Sequence, residues 1–243
     1  MKTKTLRSVT GILITLLFIA SCTAQNYGRI KGNGKVITKT RNVDNFEKIG
    51  VSGSFDVDLV KGNEGKIDIK IEENLLPYLI TEVKDGKLKI KWKSGTSINT
   101  NKGVHLTVYF NDINAVGLSG SGDINSKDLI KSDDFNVAVS GSGDIQLNLD
   151  VNNLKTAISG SGDIGLSGKT KVFKAGISGS GDIDAGKLES RNAELKIAGS
   201  GDMTVTVTEE LYARVSGSGD IEYKGNPKIE DIKVSGSGEI SKY

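Results

Sequence analysis

The sequence predicts an all-β solenoid with about 19–20 residues in each coil. A four-residue motif, Gly-Ser-Gly followed by an acidic residue, occurs seven times at nearly even intervals along the second half of the chain. A regular period near twenty residues is typical of proteins built from stacked repeats. The copies run from Gly120 to Asp123, Gly141 to Asp144, Gly160 to Asp163, Gly179 to Asp182, Gly199 to Asp202, Gly217 to Asp220 and Gly236 to Glu239.

Strands are predicted on both sides of the motif, because apolar residues flank it at fixed positions. One apolar column stands two residues before the first glycine, and a second stands directly after the acidic residue. Apolar and polar residues alternate before each motif, as in a strand with one buried face. Each coil should enter on one strand, bend at Gly-Ser-Gly and leave on another. The columns are Leu118, Val139, Ile158, Ile177, Ile197, Val215 and Val234, then Ile124, Ile145, Ile164, Ile183, Met203, Ile221 and Ile240.

The bend requires glycine, because stacked coils place successive corners about 4.8 Å apart and a side chain would obstruct a tight turn. The serines and acidic residues would then form ladders along one edge of the solenoid. We expect each aspartate to accept a hydrogen bond from a backbone N–H group of its own corner, as in an Asx turn. Stacking is essential to this prediction, since a single coil cannot bury its apolar columns alone.

Residues 1–21 are predicted to be a lipoprotein signal peptide. Three basic residues precede residues 9–20, an apolar stretch that is too short for an ordinary membrane-spanning helix. Ile19-Ala20-Ser21 then leads into Cys22, the only cysteine of the chain, and this segment is similar to a bacterial lipobox. Cys22 is therefore the predicted lipid attachment site. The alternative is a plain secretory signal with an incidental cysteine.

The charge balance argues against a nucleic-acid partner. After removal of Lys2, Lys4 and Arg7 the chain carries 29 basic and 30 acidic residues, so the mature protein is nearly neutral. Charges of both signs are interspersed, and aromatic residues make up only 5% of the chain. Lipidation of Cys22 would leave no cysteine for a disulfide within the chain, so the fold must depend on its apolar core.

Two segments lie between the signal peptide and the regular repeats of residues 116–243. Residues 22–35 are polar and are predicted to be a flexible tether. Residues 36–115 contain alternating strand patterns, and we expect them to form about three less regular coils of the same solenoid, because the interval from Gly53 to Gly120 is about three coil lengths. A separate antiparallel β domain is the alternative. Residues 72–83 could form only a short helix, since Pro77 stands in their middle.

A family resemblance supports this organisation. The lipobox, the segment Gly53-Ser54-Phe55-Asp56-Val57 and the later Gly-Ser-Gly-Asp-Ile coils together resemble the family described as putative auto-transporter adhesin, head GIN domain. The resemblance covers roughly residues 45–240. It implies a right-handed parallel β-helix in an exported bacterial protein, and the family's description implies adhesion. The resemblance supplies no catalytic residues.

Calcium binding is one alternative function, because Gly-Ser-Gly-Asp-Ile resembles half of the nonapeptide of calcium-dependent β-rolls. The spacing here is about twice that of a nonapeptide, so we expect an ion-free ladder of turns, with no metal site and no cofactor. Polysaccharide processing or binding is another alternative, since parallel β-helices can host such enzymes. His105 is the sole histidine, however, and lies in an alternating strand pattern, while Trp92 is the only tryptophan. We therefore expect no catalytic residues and no enzymatic activity.

These observations favour a lipid-anchored lipoprotein of the bacterial cell envelope that acts by binding, adhesion or scaffolding. A rigid solenoid offers repeated surfaces for many weak contacts with an envelope polymer, a glycan or a protein. The last coil shows no evident cap, and an uncovered end would allow a homo-oligomer to form through the solenoid ends. Thr23 follows Cys22 where an aspartate could favour inner-membrane retention, so we expect an outer-membrane location.

Overall fold

The computed structural model describes residues 29–243 and forms a β-solenoid of about seven turns, with 72% strand and 3% helix. The predicted all-β fold of stacked parallel coils is thereby confirmed. The predicted signal peptide and Cys22 lie outside the described residues. Within residues 29–243, no helix has both the length and the apolar character needed to cross a membrane.

Eighteen strands and one short 3₁₀ helix make up the described chain. The helix, Glu73–Tyr78, contains Pro77, so the expected limit on helix length in residues 72–83 is confirmed. The strands are β1 (Arg29–Lys31), β2 (Val36–Asn42), β3 (Lys48–Ser52), β4 (Asp56–Lys61), β5 (Lys66–Glu72), β6 (Leu79–Lys84), β7 (Lys87–Trp92), β8 (Ser97–Asn99), β9 (His105–Phe110), β10 (Ala115–Gly120), β11 (Asp123–Gly141), β12 (Asp144–Gly160), β13 (Ile164–Gly179), β14 (Ile183–Gly199), β15 (Met203–Gly217), β16 (Ile221–Lys224), β17 (Ile229–Gly236) and β18 (Ile240–Lys242).

Equivalent positions of successive coils lie directly beside one another. Val139 of β11 pairs with Ile158 of β12, and Gly141 pairs with Gly160, in a parallel register. The same register continues from β12 through β13, β14 and β15 to β17. Because inward positions coincide, the apolar columns merge into one continuous core. Phe173, near its middle, is 0% exposed.

The imperfect corner at Gly53 lies next to the first regular corner. β3 pairs in parallel with β10 and β4 with β11, so that Asp56 stands beside Asp123. No coil separates Gly53 from Gly120, which corrects the expectation of about three coils between them. The intervening chain instead builds the end of the solenoid on the other side of β3 and β4, where β7 pairs with β3 and β9 pairs with β4.

Antiparallel strands close this end of the solenoid. β2 and β9 both pair antiparallel with β5, and β6 pairs antiparallel with β7. Ile67 and Ile69 of β5 and Leu75 of the 3₁₀ helix are 0% exposed. Residues 36–115 thus combine parallel coils that continue the solenoid with antiparallel strands that cap it. A cap is needed because a bare end coil would leave apolar side chains and a free strand edge in water.

A buried carboxylate ties the cap together. Glu72 is 0% exposed, and its oxygens accept hydrogen bonds from the Thr100 hydroxyl at 2.7 Å and from the backbone N–H groups of Gly34 and Asn101 at 2.6 and 3.1 Å. These donors, the Thr100 hydroxyl foremost, lower the pKa of Glu72. Three separate chain segments therefore meet at one ionised side chain.

The segment predicted as a tether is partly structured. Arg29–Lys31 pairs in parallel with β8, and the N–H of Gly32 donates to the carbonyl of Asn99. This pairing corrects the boundary of the predicted tether, residues 22–35, because main-chain hydrogen bonds hold its second half against the cap. The described chain thus begins at the capped end of the solenoid.

The opposite end is more open. β17 and β18 form the last described coil and pair with β15 and β16 respectively. Ile232 and Val234 of β17 are 43% and 44% exposed, whereas Ala213 and Val215, their partners in β15, are at most 2% exposed. The two ends of the solenoid therefore differ in how well they cover the core.

Candidate functional surface

Two glycines shape each corner, for different reasons. The first glycine has a positive φ, between 131° and 153° in the seven regular copies, a conformation that residues with a side chain rarely adopt. The second glycine is exemplified by Gly162, where a Cβ would overlap the carbonyl oxygen of Gly143 in the preceding coil. At the first position a side chain would suffer dihedral strain and would also overlap the backbone of the preceding coil, whereas at the second position the overlap alone excludes it.

The acidic residues of the corners form one line along the solenoid, here called the acidic row. The N–H of Asp163 donates to Oδ1 of Asp144 at 2.9 Å, and the next four members repeat this bond to the preceding coil at 2.7–2.8 Å. The aspartates therefore cap their neighbours in the adjacent coil, which corrects the hydrogen bond expected within each corner. The row comprises Asp56, Asp123, Asp144, Asp163, Asp182, Asp202, Asp220 and Glu239.

The reason for this difference lies in backbone direction. Asp163, Asp182, Asp202, Asp220 and Glu239 each directly precede a strand. The corners of adjacent coils lie side by side, so the N–H of each of these residues faces the neighbouring coil. The structure thus brings the corner residues of the described chain together along one edge.

Across residues 29–243 the structure contains no group of three or more His, Cys, Asp or Glu residues that could hold a metal ion.

His105 and Trp92 occupy different surroundings. His105 lies beside Asp56 at the capped end of the acidic row, with Nδ1 3.2 Å from a carboxylate oxygen. Both side chains of this pair are about half-exposed, so water screens the interaction. Trp92 packs against Phe55, with ring centroids 5.0 Å apart. One residue belongs to a surface pair and the other to the edge of the core.

The strands that precede the corners carry a second outward surface, here called the outer face. Its row nearest the corners consists of small residues, mostly serine. The next row also consists of small residues near the capped end, and it consists of basic residues toward the other end. The first row is Ser52, Ser119, Ser140, Ser159, Ser178, Ala198, Ser216 and Ser235, and the second is Gly50, Gly117, Ala138, Ala157, Gly176, Lys196, Arg214 and Lys233.

Acidic neighbours neutralise several basic residues of the outer face at its open end. Glu194 accepts hydrogen bonds from Lys196 at 2.6 Å and Lys174 at 2.9 Å, and these two ammonium groups lower the pKa of Glu194 to about 2. Arg214 similarly contacts Asp231 at 2.6 Å. Lys196 lies on the same strand as Glu194, whereas Lys174 and Glu194, like Arg214 and Asp231, lie on adjacent strands and link neighbouring coils.

Two features of this structure are absent from the sites predicted from the sequence. The first is the set of lysines on β7, for which a signal was present, since Lys87-Leu88-Lys89-Ile90-Lys91 places three lysines on one strand face. The second is Glu72, for which no local signal exists, because its donors come from segments near residues 34 and 100.

Comparison with protein families gives one match over most of the chain. The family model described as putative auto-transporter adhesin, head GIN domain, matches residues 45–227. Among curated proteins no match is found.

Three solved structures are similar to this chain over nearly their whole length. A putative adhesin from Bacteroides fragilis is 26% identical, with a TM-score of 0.84 over 88% of this chain and 100% of its own. A putative lipid binding protein from Parabacteroides distasonis is 29% identical, with a TM-score of 0.73 and coverage of 88% and 99%. A putative adhesin from Parabacteroides merdae is 27% identical, with a TM-score of 0.71 and the same coverage.

Proposed function

The chain belongs to the family described as putative auto-transporter adhesin, head GIN domain, and on that basis we propose that it is a non-enzymatic, adhesion-like binding or scaffolding protein of the bacterial cell envelope. The observation that carries this proposal is the register of the coils, which places outward side chains in straight rows at steps of about 4.8 Å. Such rows favour many weak contacts with an extended partner, such as an envelope polymer, a glycan or a protein.

The surroundings of the ionisable groups support a binding role over catalysis. General acid–base chemistry requires positioned groups with perturbed pKa values in a site that excludes water. The acidic row instead uses its carboxylates as backbone acceptors between coils, and the His105–Asp56 pair is half-exposed on a sheet. The carboxylates of the acidic row therefore join neighbouring coils, and the His105–Asp56 pair lies on the exposed surface.

We further propose that Cys22 carries the lipid anchor and that the protein resides at the outer membrane. The lipobox-like segment Ile19-Ala20-Ser21-Cys22 supports the anchor, and several acyl chains on one residue give stable membrane attachment. The description of the Parabacteroides distasonis neighbour as a putative lipid binding protein agrees with a role beside lipid.

The experiment compares the full chain with Cys22→Ala in a bacterium that processes lipoproteins. We expect the wild-type chain to incorporate labelled fatty acid and to sediment with outer membranes. Cys22→Ala should carry no label and should no longer sediment with outer membranes, because it lacks the thiol that accepts the acyl chains. A wild-type chain that stays unlabelled and soluble would contradict the anchor.

Partner binding is tested in the same cells. Cross-linking in intact cells, followed by capture of the chain, should recover one reproducible envelope component. Replacement of Ser140, Ser159 and Ser178 by Glu should reduce that recovery, since it adds charge to the middle of the outer face, where these serines lie in register. Protease treatment of the same cells distinguishes the outer from the inner leaflet. Degradation of a glycan by the purified chain would contradict the non-enzymatic role.

A further inference from the structure

A cluster of five lysines lies on the outer face at the capped end. Lys87, Lys89 and Lys91 alternate with buried apolar residues on β7, so all three point outward. Lys48 on β3 pairs with Lys87, and Lys84 on β6 pairs with Lys87 from the other side. These five residues, here called the lysine patch, therefore occupy three adjacent strands of one sheet.

The lysine patch is poorly neutralised. Glu82 is the acidic residue of β6 that shares its face, and this carboxylate lies 3.3 Å from the Nζ atom of Lys91. Both side chains of that pair are about half-exposed, so their attraction is weak. Asp85 stands at the edge of the patch, in the turn between β6 and β7. Like charges directly opposite one another on neighbouring strands are destabilising, as at Lys48 and Lys87. The patch therefore opposes folding locally, which indicates a role in recognition.

The surface beside the patch is smooth. Lys89 and Lys91 pair with Gly50 and Ser52 of β3, and the side chain of Lys87 lies so close over Gly50 that a Cβ there would overlap its Cε. The following strand continues the same rows with Gly117 and Ser119. An extended, flat anionic surface could thus approach all five ammonium groups without obstruction.

The patch lies at the end where the described chain begins. β1 pairs with β8, which lies between β7 and β9 in the chain, and β7 and β9 stack on the outer side of β3 and β4. The chain from Cys22 to Arg29 spans at most about 25 Å when it is fully extended. A lipid on Cys22 would therefore hold this end of the solenoid close to the membrane.

Charge is also distributed unequally along the solenoid. Residues 29–114 contain 15 basic and 11 acidic residues, a formal charge of +4, whereas residues 115–243 contain 14 basic and 19 acidic residues, a formal charge of −5. A negatively charged membrane surface attracts the first part and repels the second. The electrostatic preference and the position of Cys22 thus favour the same orientation.

From these observations we infer that the lysine patch docks on anionic lipid headgroups and holds the capped end of the solenoid against the leaflet. The open end, with β17 and β18, then points away from the membrane and is free to meet a partner. The orientation of the anchored protein rests on the proposed lipidation of Cys22. The affinity of the patch for anionic headgroups does not, since it depends only on the folded solenoid.

The test uses residues 23–243 without lipid and measures co-sedimentation with vesicles. We expect binding to vesicles that mix phosphatidylcholine and phosphatidylglycerol two to one, weaker binding as salt rises, and none to phosphatidylcholine alone. Each lysine at an anionic surface contributes about fivefold to the partition coefficient. The variant K87Q/K89Q/K91Q should therefore bind about 100-fold more weakly.

The matched control is K155Q/K171Q/K233Q, which removes the same charge from exposed positions far from the patch. This variant should lose less than about fivefold in partition coefficient. If K87Q/K89Q/K91Q melts below the wild type, K89Q alone, with an expected loss of about fivefold, replaces it. Equal losses in both triple variants, or equal binding to both kinds of vesicle, would overturn the inference.

Other partners give distinguishable results. Retention of an acidic polysaccharide without vesicle binding, or self-association that K87Q/K89Q/K91Q abolishes, would assign the patch to another partner and overturn the inference. Failure of Cys22 lipidation in cells would leave vesicle binding by the lipid-free protein unchanged. The inference and the proposed anchor can therefore fail separately.

Discussion

Replacement of Gly179 by alanine should lower the free energy of unfolding by about 4 kcal/mol. Gly179 has a φ of +140° in the middle of the stack, and a Cβ there would overlap the carbonyl oxygen of Gly160. Backbone strain at such a position costs about 1–3 kcal/mol, and displacement of a packed neighbour costs about as much again. Equilibrium unfolding in urea, followed by far-UV circular dichroism, measures the difference.

Gly176→Ala is the matched control, because Gly176 lies three residues earlier on the same strand. A Cβ there would meet nothing within 4 Å, and its neighbour in the preceding coil, Ala157, already carries one. This variant should be as stable as the wild type or up to about 1 kcal/mol more stable. Similar losses in Gly176→Ala and Gly179→Ala would show that the corner has no special backbone requirement.

Replacement of Glu72 by glutamine should destabilise the cap by about 2 kcal/mol. The buried carboxylate accepts bonds from the Thr100 hydroxyl and from the N–H groups of Gly34 and Asn101. A glutamine amide would direct its own N–H group toward one of these donors and would lose the charge that strengthens the remaining bonds. Urea unfolding at pH 7 tests this loss.

The effect of Glu72 should also depend on pH. Its pKa in the folded protein lies below the ordinary value of 4.5, so the folded state binds this proton less readily than the unfolded state. The stabilisation is therefore fully present above pH 4.5 and is lost as pH falls through the folded pKa. Between pH 7 and pH 3 the difference between wild type and Glu72→Gln should shrink.

Glu73→Gln is the control for this prediction, since Glu73 is the next residue and contacts Lys35 with both side chains substantially exposed. An exposed pair contributes at most about 1 kcal/mol, so this variant should remain close to the wild type. If Glu73→Gln were as destabilising as Glu72→Gln, burial of the carboxylate would not explain the stability of the cap.

The regular coils could be predicted from the sequence because their information is local. Every coil repeats the same corner and the same inward columns, such as Ile158 two residues before Gly160, so one pattern specified both strand and turn. The parallel register followed from that repetition, since only coil-on-coil stacking buries all of the columns at once. The acidic row could be placed along one edge for the same reason.

The order of the N-terminal coils could not be predicted in this way. Gly53 and Gly120 are distant in the chain and neighbours in space. The number of residues between them does not reveal whether the intervening chain forms coils between the two corners or builds the capped end. Strand alternation does not specify the partner strand either, so β5 gave no sign of its antiparallel pairing. The partners of Glu72 depend on the same long-range arrangement.

The direction of the aspartate hydrogen bonds was missed for a different reason. An Asx turn is a rule for isolated turns, whereas the corner of a stacked coil has another backbone at strand distance. The N–H of Asp182 therefore bonds to the carboxylate of Asp163 in the adjacent coil. In a stacked repeat, a backbone N–H group can bond to an acceptor in its own turn or to an acceptor in the adjacent repeat, and here the adjacent repeat supplies the acceptor.

Distances between paired spin labels would test the stacking of the corners most directly. In the row of small residues nearest the corners, Ser216 lies five coil steps from Ser119 and six from Ser52. Dipolar spectroscopy on residues 23–243 with labels at these positions should give about 24 Å and about 29 Å. The second distance should exceed the first by about 5 Å, one coil step, because the corners at Gly53 and Gly120 are neighbours. An increase of about 14 Å, as three coil steps between them would give, or distances unrelated to the number of coils, would contradict the stacked corners.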